Sequence, residues 1–255
     1  MSARDPNLSD PVLSPAELNP LRIGLGPLET AAWLAPRPGD AVLLAQRRAL
    51  AAEKPAEVLA AIPEGDAPVA ELAAVLRARG LRIAEGGALP VLAAMAGAVA
   101  EDLLLLAADG ETYRLVAGVL CFPNRWRLAE KIGKGLSAIH GPVPEYETAL
   151  AGPVDRFLAR LRPERAYTRG NWGLASSSAL HLPLPVAPVD PAADTGFFLR
   201  REEQGFLKLP VTAAVVFSIR TTVTPWEQVP PEQRDAIREV AGVLSPEWRD
   251  YKSLT

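Results

Sequence analysis

An α+β fold is what this sequence predicts, and three observations carry the prediction. Four stretches of helical character fill residues 40–99. An Asp109-Gly110 pair between two apolar runs then marks a β-hairpin, and from there strands alternate with a few helices to residue 244. Helices first and antiparallel strands afterwards are the pattern of an α+β domain.

In chain order, residues 1–20 read as an extended N-terminal arm of prolines and charges. Residues 21–28, LRIGLGPL, are a short apolar piece broken by glycines, with Trp33 beyond it. Pro38-Gly39-Asp40 is a turn in which Asp40 can cap a helix to about Lys54. Pro55 suits the first turn of a second helix reaching Ile62. A third, residues 68–79, puts Val69, Leu72, Val75 and Leu76 on one face and stops at Gly80. A fourth, residues 89–99, is rich in alanine and apolar nearly all round, which predicts burial.

Residues 101–107 and 113–122 are the hairpin strands. From Arg127 a basic amphipathic helix carries Leu128, Ile132, Leu136 and Ile139 on one stripe, with Arg127, Glu130, Lys131 and Lys134 elsewhere on its surface. Residues 153–160 form another helix. Strands follow at 167–174, 197–207 and 211–223, then a final helix at 231–244 and the tail SPEWRDYK. The proline run at 183–191 reads as an extended surface crossing. Strand-like runs on both sides of it favour one domain over residues 21–255, with 183–196 as an internal loop.

Composition excludes several functions. A net charge of −3 leaves no basic footprint for nucleic acid. The longest apolar run, residues 89–106, is broken by Pro90, Gly97, Glu101 and Asp102, so no membrane span is expected. The N-terminus lacks a signal-peptide core, and the single cysteine fits a reducing cytoplasm. There is no G-x-S-x-G for a serine hydrolase, and no complete Gly-rich dinucleotide or phosphate loop. Cys121 sits in a strand and reads as core. His181, among serines and prolines, reads as exposed.

The chain has only two histidines. His140 ends the helix stripe and is followed by Gly141-Pro142-Val143-Pro144, which would hold its ring stiffly. It is either a packed core histidine or an axial ligand to a cofactor metal; no second ligand stands at zinc-like spacing. Lys131 and Lys134 on the same helix could meet haem propionates, or simply face solvent. Arg169 and Asn171 alternate onto one side of their strand and Trp172 onto the other; Arg200, Glu202 and Gln204 share a face of theirs. Such a row is either the solvent side of a sheet, the ordinary case, or a polar wall inside a cavity. Arg220, inside an apolar strand, needs a carboxylate or a propionate.

Short motifs spread along the chain resemble those of the haem-dependent oxidative N-demethylases. They begin at Leu21-Arg22-Ile23-Gly24-Leu25, Pro27-Leu28 and Trp33. The densest part is Cys121-Phe122-Pro123, Trp126, Glu130-Lys131-Ile132-Gly133, Ile139-His140 and Pro142-Val143-Pro144. Arg169 with Asn171-Trp172, Leu199-Arg200, Glu202, Gln204, Leu209-Pro210, Phe217, Ile219-Arg220-Thr221 and Ser245-Pro246-Glu247 with Tyr251-Lys252 complete the series. The chain departs from the family pattern at Glu203 and Gly205, at Thr222, and in the Gly-Leu-Ala-Ser-Ser-Ser stretch after Trp172.

The resemblance implies a PAS-like or helix-grip curved antiparallel sheet that encloses a b-type haem (heme b), with His140 as the iron's axial ligand. Lys131, Lys134, Arg169, Trp172, Arg200 and Arg220 are then the cofactor-binding candidates, and Glu202, Asn171 and Gln204 line the distal pocket. It further implies oxidation of a small methylated amine such as dimethylamine by O2, with formaldehyde as product. Electrons would come from a separate flavin and iron–sulfur reductase subunit. Self-association into homo-oligomers is left open. The alternatives are a non-catalytic haem-binding or haem-sensing module, and a domain without haem in which His140 is merely packed.

Overall fold

In the computed structural model, which describes residues 24–255 together with Leu13, Leu18 and Asn19, the predicted strands assemble into one open antiparallel sheet. Its seven strands are β1 (Gly26–Leu28), β2 (Leu59–Ala61), β3 (Asp102–Asp109), β4 (Thr112–Val119), β5 (Ala166–Ala175), β6 (Phe198–Lys208) and β7 (Val215–Pro225). They lie in the order β1-β5-β6-β7-β3-β4-β2. The β3–β4 hairpin turns at Gly110, whose φ of 65 suits a residue without a Cβ.

The helices are α1 (Asp40–Glu53), α2 (Pro55–Val58), α3 (Asp66–Ala78), α4 (Ala88–Ala96), α5 (Leu128–Lys131), α6 (Leu136–His140), α7 (Ala151–Arg160), α8 (Pro231–Val243) and α9 (Pro246–Tyr251). Among the described residues, none is long and apolar enough to cross a membrane. Helices α3 and α4 bury the predicted faces: Val69, Leu72 and Leu76 in one, Val91, Leu92 and Met95 in the other. With Trp33, Leu103, Leu105, Val116 and Val216 they make the largest apolar core. Helix α8 seats Ile237 and Ala241 on Trp172, Leu199 and Trp226 at the far end of the sheet. Leu13 and Leu18 are buried in that second cluster; the rest of the expected arm and residues 21–23 lie outside the described residues. The opposite side of the sheet is covered by a third cluster, in which Leu128, Leu136 and Leu158 of α5, α6 and α7 meet Leu104, Leu115 and Ile219.

Four expectations change. The second helix stops at Val58, and Leu59–Ala61 instead pairs with Val119, Gly118 and Ala117. An apolar run of three residues gains more from the open edge of β4 than from one further helical turn. The basic helix from Arg127 is two helices: Gly133, at φ 77, breaks it. The freed segment then bonds to β4, with Leu115 N–H donating to Lys134 O (3.0 Å) and Gly133 N–H to Leu115 O (2.8 Å). The last strand starts at Val215 rather than residue 211. Before it, Glu71 accepts the N–H groups of Val211 and Thr212, both at 2.7 Å. Asp40 is the first residue of α1 rather than its cap, and its carboxylate accepts the N–H of Arg37 at 2.9 Å.

One buried ion pair ties the core to the strand that leads into the site. Arg47 and Asp102, both 0% exposed, are in direct contact. Asp102 also accepts the N–H groups of Cys121 (2.6 Å) and Phe122 (2.9 Å). A buried carboxylate with three donors is a satisfied one, and it fixes the chain where β4 gives way to the loop that follows.

Candidate haem site

His140 closes α6, and its Nδ1 lies 2.9 Å from the carbonyl oxygen of Leu136, one turn back. A carbonyl only accepts, so Nδ1 carries the proton and Nε2 keeps its lone pair. No hydrogen bond to Nε2 occurs among the described residues. Tyr146 stacks on the imidazole, ring centres 4.4 Å apart and planes 13° from parallel. Burial lowers the His140 pKa below its usual value; the Leu136 bond opposes this, and the charges of Lys131 and Arg169 add to it. The ring is therefore neutral at pH 7, the form that binds a metal.

Arg169, whose charge is felt at His140, belongs to a polar wall on the sheet. Register places Arg169 beside Gln204, Asn171 beside Glu202 and Gly173 beside Arg200, so these side chains share one face of the sheet. The same face is aromatic lower down, where Phe206 stacks on Phe217 (4.9 Å) and Phe157 of α7 meets Phe206 and Tyr167 edge-on. The row on β6 is not the solvent side of the sheet: Arg200 is 1% and Glu202 9% exposed. Oε2 of Glu202 accepts from Asn171 Nδ2 (3.2 Å) and Gln204 Nε2 (2.8 Å).

Near Glu202 of this wall is Arg125, a residue that no motif or spacing marks. It stands at φ 62 in the turn after Phe122. Its N–H donates to Leu182 O at 2.6 Å and its guanidinium bonds Ser253 Oγ. Burial lowers its pKa, against the attraction of Glu202 and of Tyr251, were that phenol ionised. Tyr251 completes the surround: 38% exposed, yet so enclosed by protein and by the Glu202 charge that its phenol pKa is raised. A residue open to solvent and still desolvated is one that lines a recess.

A recess of about 950 Å³ starts at the residue after His140, at the upper end of the roughly 300–1,000 Å³ of ligand pockets. Its walls run from Gly141 to Thr148 on one side and from Ser245 to Tyr251 on the other, and Glu145, Glu147, Glu247 and Asp250 stand among them. The proline-stiffened exit expected from the sequence is thus one wall of an open space, although its lining is more acidic than an apolar chamber would be.

The other candidates are placed as follows. Lys131 folds back so that Nζ bonds Ile139 O, near His140; Lys134 is exposed and its backbone serves β4. Arg200 stands on the wall face, but its donors go to four carbonyls: Ala179 (3.1 Å), Phe122 (2.8 Å), Pro123 (3.0 Å) and Leu180 (2.9 Å). It binds the turn carrying Arg125 to the segment before the proline run. Trp172 and Arg220 lie on the other face and leave the set of cofactor candidates. Trp172 donates to Leu18 O, and Arg220 is taken by the carboxylates of Asp40 and Glu101. The requirement for a carboxylate partner is met; the propionate alternative is not needed.

His181 is half-buried rather than exposed. Nδ1 donates to Cys121 O (2.9 Å) and Nε2 faces Glu57 (3.3 Å). Cys121 is fully buried, and burial raises its thiol to about 12, which removes it as a nucleophile.

A family model described as haem-dependent oxidative N-demethylase, alpha subunit-like, matches residues 80–255, more than half of the chain. The chain belongs to that family. No curated protein matches it. The family's name indicates dependence on haem and an alpha subunit of a larger assembly. The residues present suit haem in two respects, a neutral imidazole with a bare Nε2 and a recess beside it; Arg125 and Arg169 stand near Glu202, outside the acidic lining of that recess.

Three of the four departures from the demethylase pattern fall on the far side of the sheet; the fourth begins at Gly173, which pairs with Arg200 on the wall face. Glu203, Gly205 and Thr222 pair with Arg220, Ser218 and Arg201, on the face away from Glu202. Glu203 makes a two-bond pair with Arg37 (2.7 and 3.1 Å). Gly205 makes room for Trp33, whose Nε1 donates to Ser218 Oγ at 3.0 Å.

Proposed function

We propose that the chain is the haem-carrying subunit of an oxidative N-demethylase for a small methylated amine of the dimethylamine type. In this reading His140 is the axial ligand of a b-type haem, and a separate flavin and iron–sulfur reductase supplies electrons. The sheet with its covering helices is taken as a PAS-like chamber within one domain, residues 21–255, looped out at 183–196, in the cytoplasm. The observation that carries the reading is the Nδ1–Leu136 bond, which leaves Nε2 deprotonated and unclaimed next to a recess.

Haem, when bound, supplies an iron at which oxygen is activated. The chain's own residues hold and orient. The Leu136 carbonyl keeps the proton on Nδ1. Arg125 and Arg169 balance propionate charge, and Lys131 caps the helix end that carries the ligand. Asn171 and Gln204, both donating to Glu202 Oε2, fix that carboxylate so that it accepts an N–H of the protonated amine and keeps its methyl group in one place. Glu203, Gly205 and Thr222 take no part, since these positions lie on the opposite face.

Haem added to the purified chain should give a histidine-ligated Soret band that His140→Ala loses. With reductant and oxygen, dimethylamine should release formaldehyde, and Glu202→Gln should raise KM more than it lowers kcat. An unchanged haem spectrum in His140→Ala would retire the ligand assignment. Normal haem binding without formaldehyde from any small methylated amine would leave the non-catalytic haem module.

A further inference from the structure

We infer that Tyr146 is the positioning residue of His140, the side chain that fixes the plane of the imidazole; the inference deepens the ligand role proposed above. A hydrogen bond at Nδ1 pins one point of the ring and chooses its tautomer. It does not by itself set the ring's rotation, because the outer torsion of histidine is broad. The second constraint is the phenol ring lying flat against the imidazole, 4.4 Å away and tilted by 13°. Together the carbonyl below and the ring beside it leave one orientation.

A positioning residue must itself be immobile, and Tyr146 is. It is 5% exposed. It starts a π-helical turn, Tyr146–Leu150, an irregularity that concentrates at functional places. The preceding residue, Glu145, stands at φ 58, a left-handed conformation that is strained for a non-glycine residue. Glu145 is held there by its carboxylate, which accepts the indole N–H of Trp248 at 3.1 Å. Helix α9 is thus linked to the imidazole through Trp248, Glu145 and Tyr146. The Tyr146 hydroxyl has no hydrogen-bond partner among the described residues. The flat ring is what the arrangement uses, and phenylalanine should serve in its place.

With only two histidines in the chain, the arrangement can be read by proton NMR on the protein before any haem is added. The signals are assigned with His181→Gln. In the wild type and in Tyr146→Phe, the ring protons of His140 should be shifted upfield by the stacked ring. Tyr146→Leu, similar in greasiness but not flat, should lose the upfield shift. Trp248→Phe, which removes the bond to Glu145, should reduce the shift partway. It gives a second readout if the leucine variant folds poorly by far-ultraviolet circular dichroism.

After addition of haem, Tyr146→Phe should keep the wild-type ferric EPR spectrum, and Tyr146→Leu should broaden or split it, because the ligand plane is no longer single. An upfield shift that survives in Tyr146→Leu would overturn the inference. So would a Tyr146→Phe variant that loses as much as the leucine one. The ligand role is judged separately by His140→Ala, which leaves the NMR result standing either way.

Discussion

Lys252 gives the sharpest quantitative test of the geometry around the polar wall. The strand β1 covers β5 only from Ala166 to Thr168. Further along that edge, the Nζ of Lys252 donates to Trp172 O at 2.8 Å and sits 4.3 Å from the centre of the Trp172 ring. The side chain is 5% exposed. Burial lowers its pKa first, Arg125 and Arg169 lower it further, Glu202 opposes them, and the result is about 7 against an ordinary 10.5. At about 1.4 kcal/mol per pH unit, that sets a ceiling of roughly 5 kcal/mol on the cost of keeping this ammonium charged in the fold.

The sign follows from proton counting. Between pH 7 and 10.5 the unfolded chain holds a proton on Lys252 that the folded chain has released. Stability therefore rises with pH across that window, and the cost is fully present below it. Urea unfolding of the wild type and of Lys252→Met from pH 6 to 9 should show the wild type gaining on the variant above pH 7, by about 2 kcal/mol at pH 9. Taking the difference cancels the other titrating groups. Two curves that stay parallel over pH 7–9 would refute the buried, cation-flanked placement of this lysine.

The remaining predictions concern the two faces of the sheet. A Cβ at Gly205 would come within 2.5 Å of Ser218 Oγ and 3.2 Å of Trp33 Cδ1, so Gly205→Ala should cost about 1–3 kcal/mol by urea denaturation. Asp102→Ala strands the fully buried Arg47 guanidinium and should cost about 3–5 kcal/mol, read as a lower urea midpoint with unchanged slope. Cys121 should resist a thiol-specific reagent in native buffer at pH 8 and react at the rate of unfolding. Arg200→Lys cannot serve four carbonyls spread over two segments, so it should raise proteolytic nicking near residues 179–187.

Much of the fold was legible in the sequence because its signals are local. The Asp109-Gly110 hairpin, the apolar face of α3 and the alternation of β6 each depend on a few neighbouring residues, and each is found as read. Leu59–Ala61 was misread because its state is decided by a partner sixty residues away, the open edge of β4. Gly133 was visible, but Leu128, Ile132, Leu136 and Ile139 kept a helical rhythm across the break, since both short helices face the same core. At the candidate site, His140 and the Arg169, Asn171, Glu202 and Gln204 wall follow from spacing on single elements. Arg125 and Tyr146 do not. One is brought in by a left-handed turn and a bond to Leu182, the other by a π turn, and neither leaves a periodic trace. The face on which Arg220 would lie was equally hidden, because only the pairing of β6 with β7 puts it beside Glu203.

Strand β6 writes on both sides of the sheet at once, with Arg200, Glu202 and Gln204 turned one way and Arg201, Glu203 and Gly205 the other. Losing or gaining a single residue within it would swap the two inscriptions. The carboxylate meant for Arg37 would turn towards Arg125, Trp33 would meet a side chain where it needs a gap, and the polar wall would carry a glycine. Substitutions along this strand can therefore be judged one at a time, whereas a change in its length would exchange chemistry for scaffold all along the strand.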